Sequence, residues 1–253
     1  DSTRDDVYKV MNRRFSDWLR RPLASITKQD CLNRFQDIKL AIKRNNRQKN
    51  RSSSNPIGEG EAQKAFRYLT AIFNSFVEED IGNEKLLPKG NPCSVLKAKK
   101  VRKILKPRDR FLDLQQRNVL HDHLQLVGLE QTQGVIRTTC DDRDLIWLLI
   151  HCGLRLEEAL NLKWDSVDLM NERYTVFNTK NSRDHTLPMT DNTKLIFERR
   201  ISQGNKYVFQ SNVRKLKPIT ASKTFKRVSE EIGFTFTAHD LRRTVATVAA
   251  ERG

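Results

Sequence analysis

The chain has 253 residues, of which 37% are hydrophobic, and a formal net charge of +16. This length suits one large or two medium globular domains, and the hydrophobic share is sufficient for their cores. The longest apolar stretch, residues 145–154, is about half of the roughly 20 residues that cross a bilayer, so no transmembrane segment is predicted. The four cysteines lack zinc or disulfide spacing, and His121 and His123 would face different sides of a helix. We expect reduced cysteines that serve as packing residues, and no metal or cofactor.

The first half of the chain predicts three helices: one around Asp5–Arg20, one from Thr27, and one over Gly60–Asp80. Thr27 and Asp30 have the spacing of a helix-capping signal. The third helix repeats its apolar residues with the helical period, and the three helices together predict a small core. This predicted core comprises Phe15, Trp18, Leu19, Phe35, Ile38, Ile42, Ala65, Leu69, Ile72, Phe73 and Phe76.

The positive charge is concentrated in the same half. Residues 1–110 contain 26 Lys and Arg against 13 Asp and Glu, whereas residues 111–253 contain 21 against 18. Clustered cations bind polyanions, because they release the counterions that condense on a phosphate backbone. Basic runs are usually just solvated surface, but two runs in one domain favour contacts with nucleic-acid phosphates. The predicted contact residues are Lys43, Arg44, Arg47, Lys49, Arg51, Lys97, Lys99, Lys100, Arg102 and Lys103.

The second half changes character and predicts helices mixed with a few strands. We place a helical DNA-binding domain at residues 1–106, a linker at 107–112 and a second domain at 113–253. The second domain has predicted helices at 113–127, 141–152, 156–162, 191–202, 220–232 and 239–252, and predicted strands at 173–178, 185–189 and 207–210. The predicted fold class is mainly α with a small antiparallel β-sheet (α+β).

Three short blocks in the second half carry candidate chemistry. Gly153 precedes a short helix that opens on Arg155, and an arginine's planar guanidinium can bind two oxygens of one phosphate. Glu158 could hold Arg155 in one rotamer, although an ordinary surface ion pair is the simpler interpretation. Lys180 lies at a predicted hairpin tip, where a lysine usually aids solubility but could protonate a leaving oxygen in a DNA groove.

The third block is the pair His239 and Arg242. The two residues are three apart in a predicted helix, so they lie on one face and could converge on an anion. The simpler alternative is an exposed basic helix end. The apolar stripe that would face away from the pair consists of Leu241, Val245, Val248 and Ala249.

Taken together and in this order, the blocks resemble the tyrosine site-specific recombinases, or phage integrases, of the temperate-phage or genomic-island type. The matching motifs are Gly-Leu-Arg155-x-x-Glu158, a Thr-Lys180 hairpin that leads to Leu-Pro188, and His239-x-x-Arg242. Residues 15–19, 67–73 and 91–92 also resemble the family's core-binding domain. The resemblance covers nearly the whole chain and implies a core-binding domain followed by a catalytic domain, which together clamp duplex DNA.

The resemblance also implies a role for each matched residue. Arg155 and Arg242 would clamp the scissile phosphate and stabilise its transition state. Lys180 would act as general acid, His239 would contact the phosphate and assist proton transfer, and Glu158 would support the basic groups. The family cuts and rejoins DNA through a 3′-phosphotyrosine, works as a homotetramer on DNA, needs no cofactor, and integrates or excises mobile elements.

The matched motifs do not include the nucleophilic tyrosine of the family. In the family the nucleophilic tyrosine follows the His-x-x-Arg motif, whereas the four tyrosines of this chain, Tyr8, Tyr68, Tyr174 and Tyr207, all precede it. We therefore expect a truncated recombinase that is monomeric without DNA, binds duplex DNA without cleaving it, and belongs to the nucleoid in the cytoplasm of a bacterial host. The alternative is a non-catalytic DNA-binding or architectural protein whose basic residues contact only the backbone.

Overall fold

A computed structural model describes residues 2–48, 58–81, 84–105, 110–129, 134–177, 184–201, 204–214 and 216–252. The chain divides into two compact units, Asp1–Arg108 and Asp109–Gly253. Each unit has its own hydrophobic core. Among the described residues, no helix is both long enough and apolar enough to cross a membrane.

The first unit is built mainly from helices. Its elements are α1 (Ser2–Phe15), α2 (Lys28–Gln48), α3 (Glu59–Ser75), β1 (Asp80–Ile81), β2 (Glu84–Lys85) and α4 (Val95–Ala98). The predicted cap of α2 is present, since the Thr27 N–H donates to Asp30 Oδ2 at 2.9 Å and the Asp30 N–H donates to Thr27 Oγ1 at 3.1 Å. Strands β1 and β2 form a small antiparallel hairpin that the sequence did not predict.

Most of the predicted core of this unit is buried. The buried members are Phe15, Trp18, Phe35, Ile38, Ala65, Leu69 and Phe73. The prediction was wrong for Leu19, which is 52% exposed. Helix α1 ends at Phe15 rather than Arg20, and the N–H groups of Trp18 and Leu19 both donate to the Phe15 carbonyl in a turn. That turn carries Trp18 inward and Leu19 outward.

The cysteines of this unit lie inside the core. Cys31 and Cys93 are buried thiols whose Sγ atoms are 3.8 Å apart. In the second unit Cys152 is partly buried, but Cys140 is exposed at the start of a helix and is not the packing residue that the sequence predicted.

The second unit combines helices with a three-stranded sheet. Its elements are α5 (Leu114–Leu126), α6 (Cys140–Cys152), α7 (Leu156–Leu160), β3 (Val167–Asp168), β4 (Arg173–Val176), β5 (His185–Pro188), α8 (Asp191–Arg200), α9 (Thr224–Ile232) and α10 (Ala238–Glu251). The sheet has the order β3-β4-β5 and is antiparallel throughout. The predicted fold class, mainly α with a small antiparallel sheet, is confirmed.

Helix α6 is the central element of this unit. It packs against α8 on one side and α10 on another, and its side chains Leu145, Ile146, Leu148 and Leu149 are fully buried. A capping box fixes its start, where the Thr139 N–H donates to Asp142 at 3.0 Å. Because α6 leads directly into the Gly153 block while α10 carries the His239 block, the packing of these two helices brings the blocks together.

Two predictions in this unit were wrong. Residues 207–210 are not a strand: Tyr207 and Gln210 each form one isolated bridge, to Lys163 and Pro218, with a turn between them. Helix α9 begins at Thr224 instead of residue 220, since residues 220–221 are irregular and residues 222–223 form a turn.

The predicted linker also differs from the structure at its end. Residues 106–109 lie outside the described residues, but residues 110–112 are attached to the second unit. Leu112 is buried in its core, and the Leu112 N–H donates to Thr244 Oγ1 on α10 at 2.8 Å. Arg110 donates to Thr235 at 3.2 Å. The second unit therefore begins before residue 113.

Candidate active site

A left-handed turn at Gly153 connects α6 to the first candidate residue. Gly153 has φ 60° and ψ 24°, and its N–H donates to the Leu149 carbonyl at 2.9 Å, which closes the C-terminus of α6. Glycine adopts this conformation without the steric cost of a Cβ. Two residues later Arg155 precedes α7, so the turn places the guanidinium of Arg155 beside the end of α6.

Glu158 holds Arg155 through two hydrogen bonds. The Arg155 backbone N–H donates to Glu158 Oε2 at 2.8 Å, and Arg155 Nη1 donates to Glu158 Oε1 at 2.6 Å. The Glu158 side chain is only 12% exposed. Burial raises the pKa of Glu158, but the hydrogen bonds from Arg155 and the charges of Arg155 and Arg242 outweigh that effect and lower the pKa overall. Glu158 is therefore an anion at neutral pH.

The start of α10 sets the positions of His239 and Arg242. A capping box joins Thr237 and Asp240, with the Thr237 N–H donating to Asp240 Oδ2 at 2.9 Å. His239 then falls in the first turn of α10 and is exposed. Of the predicted apolar stripe, Leu241 is fully buried, Val245 and Val248 are half-buried, and Ala249 is exposed and does not face the core.

Arg242 contacts both parts of the Gly153 block. Its Nη1 donates to the Gly153 carbonyl at 2.6 Å and lies 3.9 Å from Glu158 Oε2. Arg155 and Arg242, distant in sequence, thus share one carboxylate, and each side chain is 39% exposed. Among the described residues, neither arginine donates a hydrogen bond from its Nε or Nη2. These unused donors could bind a tetrahedral oxyanion such as a phosphate.

A cavity of about 810 Å³ opens beside Arg155, between α7 and β4. Its lining includes Arg155, Glu158, Lys163, Thr175, Phe177 and Tyr207. Lys180, the predicted general acid, lies in residues 178–183, outside the described residues. The structure therefore brings together Arg155, Glu158 and Arg242, with His239 one turn away on α10, and does not describe Lys180.

Most of the predicted DNA-contact residues lie on the surface of the first unit. Lys43, Arg44, Lys97, Lys99, Lys100 and Lys103 are exposed. Arg102 is half-buried, and its Nε is buried without a hydrogen-bond partner among the described residues. Lys49, Arg51 and the side chain of Arg47 lie outside the described part of the chain.

A buried glutamate, which the sequence analysis missed, contacts a lysine just before the first basic run and the backbone of the second run. Glu59 is fully buried at the start of α3, and its Oε2 lies 2.9 Å from Lys39 Nζ, one turn before Lys43. Its Oε1 accepts hydrogen bonds from the Lys103 N–H at 3.1 Å and from Gln63 at 3.0 Å. Burial raises the pKa of Glu59, but these partners lower it overall. Its signal in the sequence is an acidic residue at a helix start between two basic runs.

The described residues contain no group of three or more His, Cys, Asp or Glu that could hold a metal ion. Arg155 and Arg242 place two partly exposed guanidiniums beside the Glu158 carboxylate. Two arginines, one supporting carboxylate and a nearby exposed imidazole are groups that can bind and stabilise a charged phosphoryl group.

Comparison with known proteins identifies the family. Residues 110–253, more than half of the chain and nearly all of the second unit, match the model of the phage integrase family. The chain therefore belongs to that family.

Individual relatives agree with this assignment. The tyrosine recombinase XerA of Saccharolobus solfataricus is 35% identical over 112 residues, which cover 44% of this chain and 38% of that protein. The chain spans less than half the length of the curated relatives that it matches.

Two solved structures have a similar fold. The integrase of the Tn1549 transposon, in complex with transposon right end DNA, matches with a TM-score of 0.70 and 20% identity over 100% of this chain and 82% of that one. A lambda integrase tetramer bound to a Holliday junction matches with a TM-score of 0.63 and 15% identity over 98% of this chain and 66% of that one.

Proposed function

We propose that the chain is the DNA-binding and catalytic part of a site-specific recombinase that integrates or excises a mobile element. One observation carries the proposal: Arg155 and Arg242 meet at a single carboxylate, inside the region that matches the integrase family. Among the described residues both guanidiniums keep donors without a partner and are partly exposed, as the binding of a DNA phosphate requires.

In this proposal each residue of the site has a defined task. Arg155 and Arg242 bind the non-bridging oxygens of the scissile phosphate and stabilise the charge that develops during attack. A tyrosine hydroxyl attacks the phosphorus, the phosphotyrosine bond forms, and the 5′ oxygen leaves with a proton from Lys180. His239 contacts the same phosphate at the positive end of α10, and Glu158 keeps Arg155 oriented.

In this proposal the first unit binds the DNA backbone while the site in the second unit acts on the scissile phosphate. Glu59 contacts Lys39, one turn before the first basic run, and the backbone N–H of Lys103 in the second run, which supports a common positive surface for the two runs. Assembly as a homotetramer on two DNA sites is proposed by analogy with the lambda integrase tetramer on a Holliday junction. The protein would then act where its DNA substrate lies, in the cytoplasm of a bacterial host.

Trapping of a covalent intermediate tests the catalytic part of the proposal. The complete natural protein is incubated with cognate duplexes that carry a nick close to the cleavage position, so that the released end diffuses away. We expect a 3′-phosphotyrosyl adduct that Arg155→Ala and Arg242→Ala abolish. If folded protein binds the cognate site but forms no adduct with any nick position, the non-catalytic DNA-binding alternative is the correct one.

Salt dependence tests the DNA-binding part. For the 253-residue chain, the logarithm of the association constant for duplex DNA should fall linearly with the logarithm of salt concentration, by about 0.9 for each phosphate neutralised. Lys99→Ala and Lys100→Ala should each lower that slope by about 1. Binding that is undetectable or independent of salt would contradict the proposal.

A chemical substitution in the DNA isolates the contact made by the arginines. A methylphosphonate replaces one charged phosphate at successive positions of a duplex selected for binding from a random pool. We define the phosphate ratio as the largest value of Kd for the modified duplex divided by Kd for the unmodified duplex. We expect a ratio of about tenfold or more at one position, since charge-assisted hydrogen bonds contribute about 1.5–3 kcal/mol each.

A further inference from the structure

The geometry of the turn after α6 points to a role for Gly153 that goes beyond ending the helix. We propose that Gly153 is a positioning residue: its carbonyl and its missing Cβ set where the guanidinium of Arg242 lies relative to Arg155. This inference rests on the proposed function, because it concerns how the two arginines come to bind one phosphate.

The carbonyl of Gly153 is a fixed acceptor for Arg242. The left-handed conformation at φ 60° aims this carbonyl out of α6, and it accepts the 2.6 Å hydrogen bond from Arg242 Nη1. The other acceptor near that nitrogen, Glu158 Oε2, is 3.9 Å away and already accepts the Arg155 N–H. The shorter bond therefore orients Arg242, while Glu158 contributes mainly charge.

The missing side chain of Gly153 lets α10 approach closely enough for that bond. A Cβ at this position would lie 3.2 Å from Val245 Cγ1 and 3.4 Å from Val245 Cβ. Val245 is one turn after Arg242 on α10, so pressure at Val245 acts on the turn that carries the guanidinium. Added bulk at either residue would separate the Gly153 carbonyl from Arg242 Nη1.

The chain offers a matched control for the backbone effect. Gly233 also ends a helix in the left-handed region, with φ 80°, and its N–H donates to the Ser229 carbonyl at 3.1 Å. A Cβ at Gly233 would meet no atom of the described residues within 4 Å. Gly233→Ala therefore introduces the same kind of backbone strain as Gly153→Ala but no steric contact.

A double-mutant cycle tests the proposal through the phosphate ratio. Gly153→Ala should lower the ratio about tenfold when Val245 is present, and by no more than about threefold in the Val245→Ala background, because truncation of Val245 makes room for the new methyl group. Gly233→Ala, which adds backbone strain without the steric contact, should lower the free energy of unfolding and leave the phosphate ratio unchanged.

A second variant keeps the test decisive if Gly153→Ala does not fold. Val245→Ile adds one methyl group to the side chain that faces Gly153 without altering the backbone, and it should also lower the phosphate ratio. The proposal is overturned if folded Gly153→Ala or Val245→Ile keeps the wild-type ratio, or if Val245→Ala gives no rescue. If the wild-type chain itself shows no phosphate ratio above that of neighbouring positions, the proposed phosphate clamp fails instead.

Discussion

Glu158 and Asp144 are two carboxylates of the second unit that each gather arginines, yet the two clusters differ in what their arginines can still do. Asp144 is 3% exposed and meets Arg143 Nε at 2.9 Å, Arg199 Nη2 at 3.1 Å and Arg200 Nη1 at 3.3 Å. It ties α6 to the last turn of α8. In this cluster the arginines serve the packing of two helices.

Arg200 is an arginine whose guanidinium is bonded within the fold on all sides. Its Nε donates to the Val208 carbonyl at 3.0 Å, its Nη2 donates to Asp141 at 2.8 Å, and its guanidinium lies 4.4 Å from the centre of the Phe209 ring. The side chain is only 11% exposed. Each of the three guanidinium nitrogens of Arg200 therefore donates to another part of the fold.

Arg155 and Arg242 have the opposite character. Each engages only Nη1 from its guanidinium among the described residues and is 39% exposed, although their shared carboxylate is nearly as buried as Asp144. Arg199 of the Asp144 cluster also engages only one guanidinium nitrogen, Nη2, among the described residues, so what distinguishes the Glu158 cluster is that both of its arginines keep donors beside one carboxylate. The number of arginines does not by itself distinguish the two cases.

The largest expected difference between the two clusters is the loss of folding stability when the Asp144 carboxylate is removed. Asp144→Ala removes the acceptor common to three arginines and leaves their charges uncompensated in a buried place, so the free energy of unfolding should fall by about 3–5 kcal/mol in urea denaturation. Asp141→Ala is the control, since its carboxylate is 43% exposed and should contribute about 1 kcal/mol or less. A loss below about 1 kcal/mol for Asp144→Ala would contradict a structural role for this cluster.

The next effect should be on phosphate recognition. Arg155→Ala and Arg242→Ala should each lower the phosphate ratio by about tenfold or more, because each removes charge-assisted bonds worth about 1.5–3 kcal/mol. Arg199→Ala is the matched control: its side chain is similarly exposed, at 44%, but belongs to the Asp144 cluster. It should destabilise the fold and leave the ratio unchanged. If Arg199→Ala and Arg242→Ala lowered the phosphate ratio equally, the two clusters would not differ in phosphate binding.

A smaller effect should appear in the pH dependence of stability. Since the folded state lowers the pKa of Glu158, the ionised side chain stabilises the protein at neutral pH, and that contribution is lost as pH falls through the lowered pKa. Glu158→Gln should therefore cost about 1 kcal/mol at neutral pH. The difference from wild type should shrink in acid. A difference that stays constant down to the onset of acid unfolding would show that Glu158 acts through shape and not through charge.

The smallest effect should come from His239. It is exposed and makes no hydrogen bond or ion pair to another described residue, so its replacement should not alter the free energy of unfolding by more than about 0.5 kcal/mol. His239→Ala should lower the phosphate ratio by about threefold, which corresponds to one weak hydrogen bond. Thr247→Ala, on the same helix, provides a comparison. An unchanged ratio would remove His239 from the proposed site.

Local patterns predicted much of the fold and part of the site. The cap at Thr27 and the contact between Arg155 and Glu158 depend on residues three apart, and helical geometry is sufficient to derive both. The bond from Arg242 to Gly153 depends on how α10 packs against α6, and spacing along the chain carries no information about that. Leu19 was misplaced for a related reason, since the helical period does not reveal where a helix ends.

Two further features needed the tertiary structure. Of the partners that the structure describes for Glu59, Gln63 is near in sequence, whereas Lys39 and Lys103 reach it from other segments. Residues 207–210 have the composition of a short strand, yet Tyr207 and Gln210 each pair with a different segment and no ladder forms. In both cases the deciding contacts join segments that lie far apart along the chain.

The attachment of residues 110–112 to α10 has a practical consequence for dissecting the protein. A second unit expressed alone from residue 113, the boundary that the sequence predicts, would lose the buried Leu112 side chain and leave Thr244 Oγ1 without the N–H that donates to it. It would also lose Arg110, whose Nε lies 3.7 Å from the Asp240 carboxylate at the cap of α10. A separately produced unit should therefore start no later than Arg110, or the helix that carries His239 and Arg242 would be loosened by the cut itself.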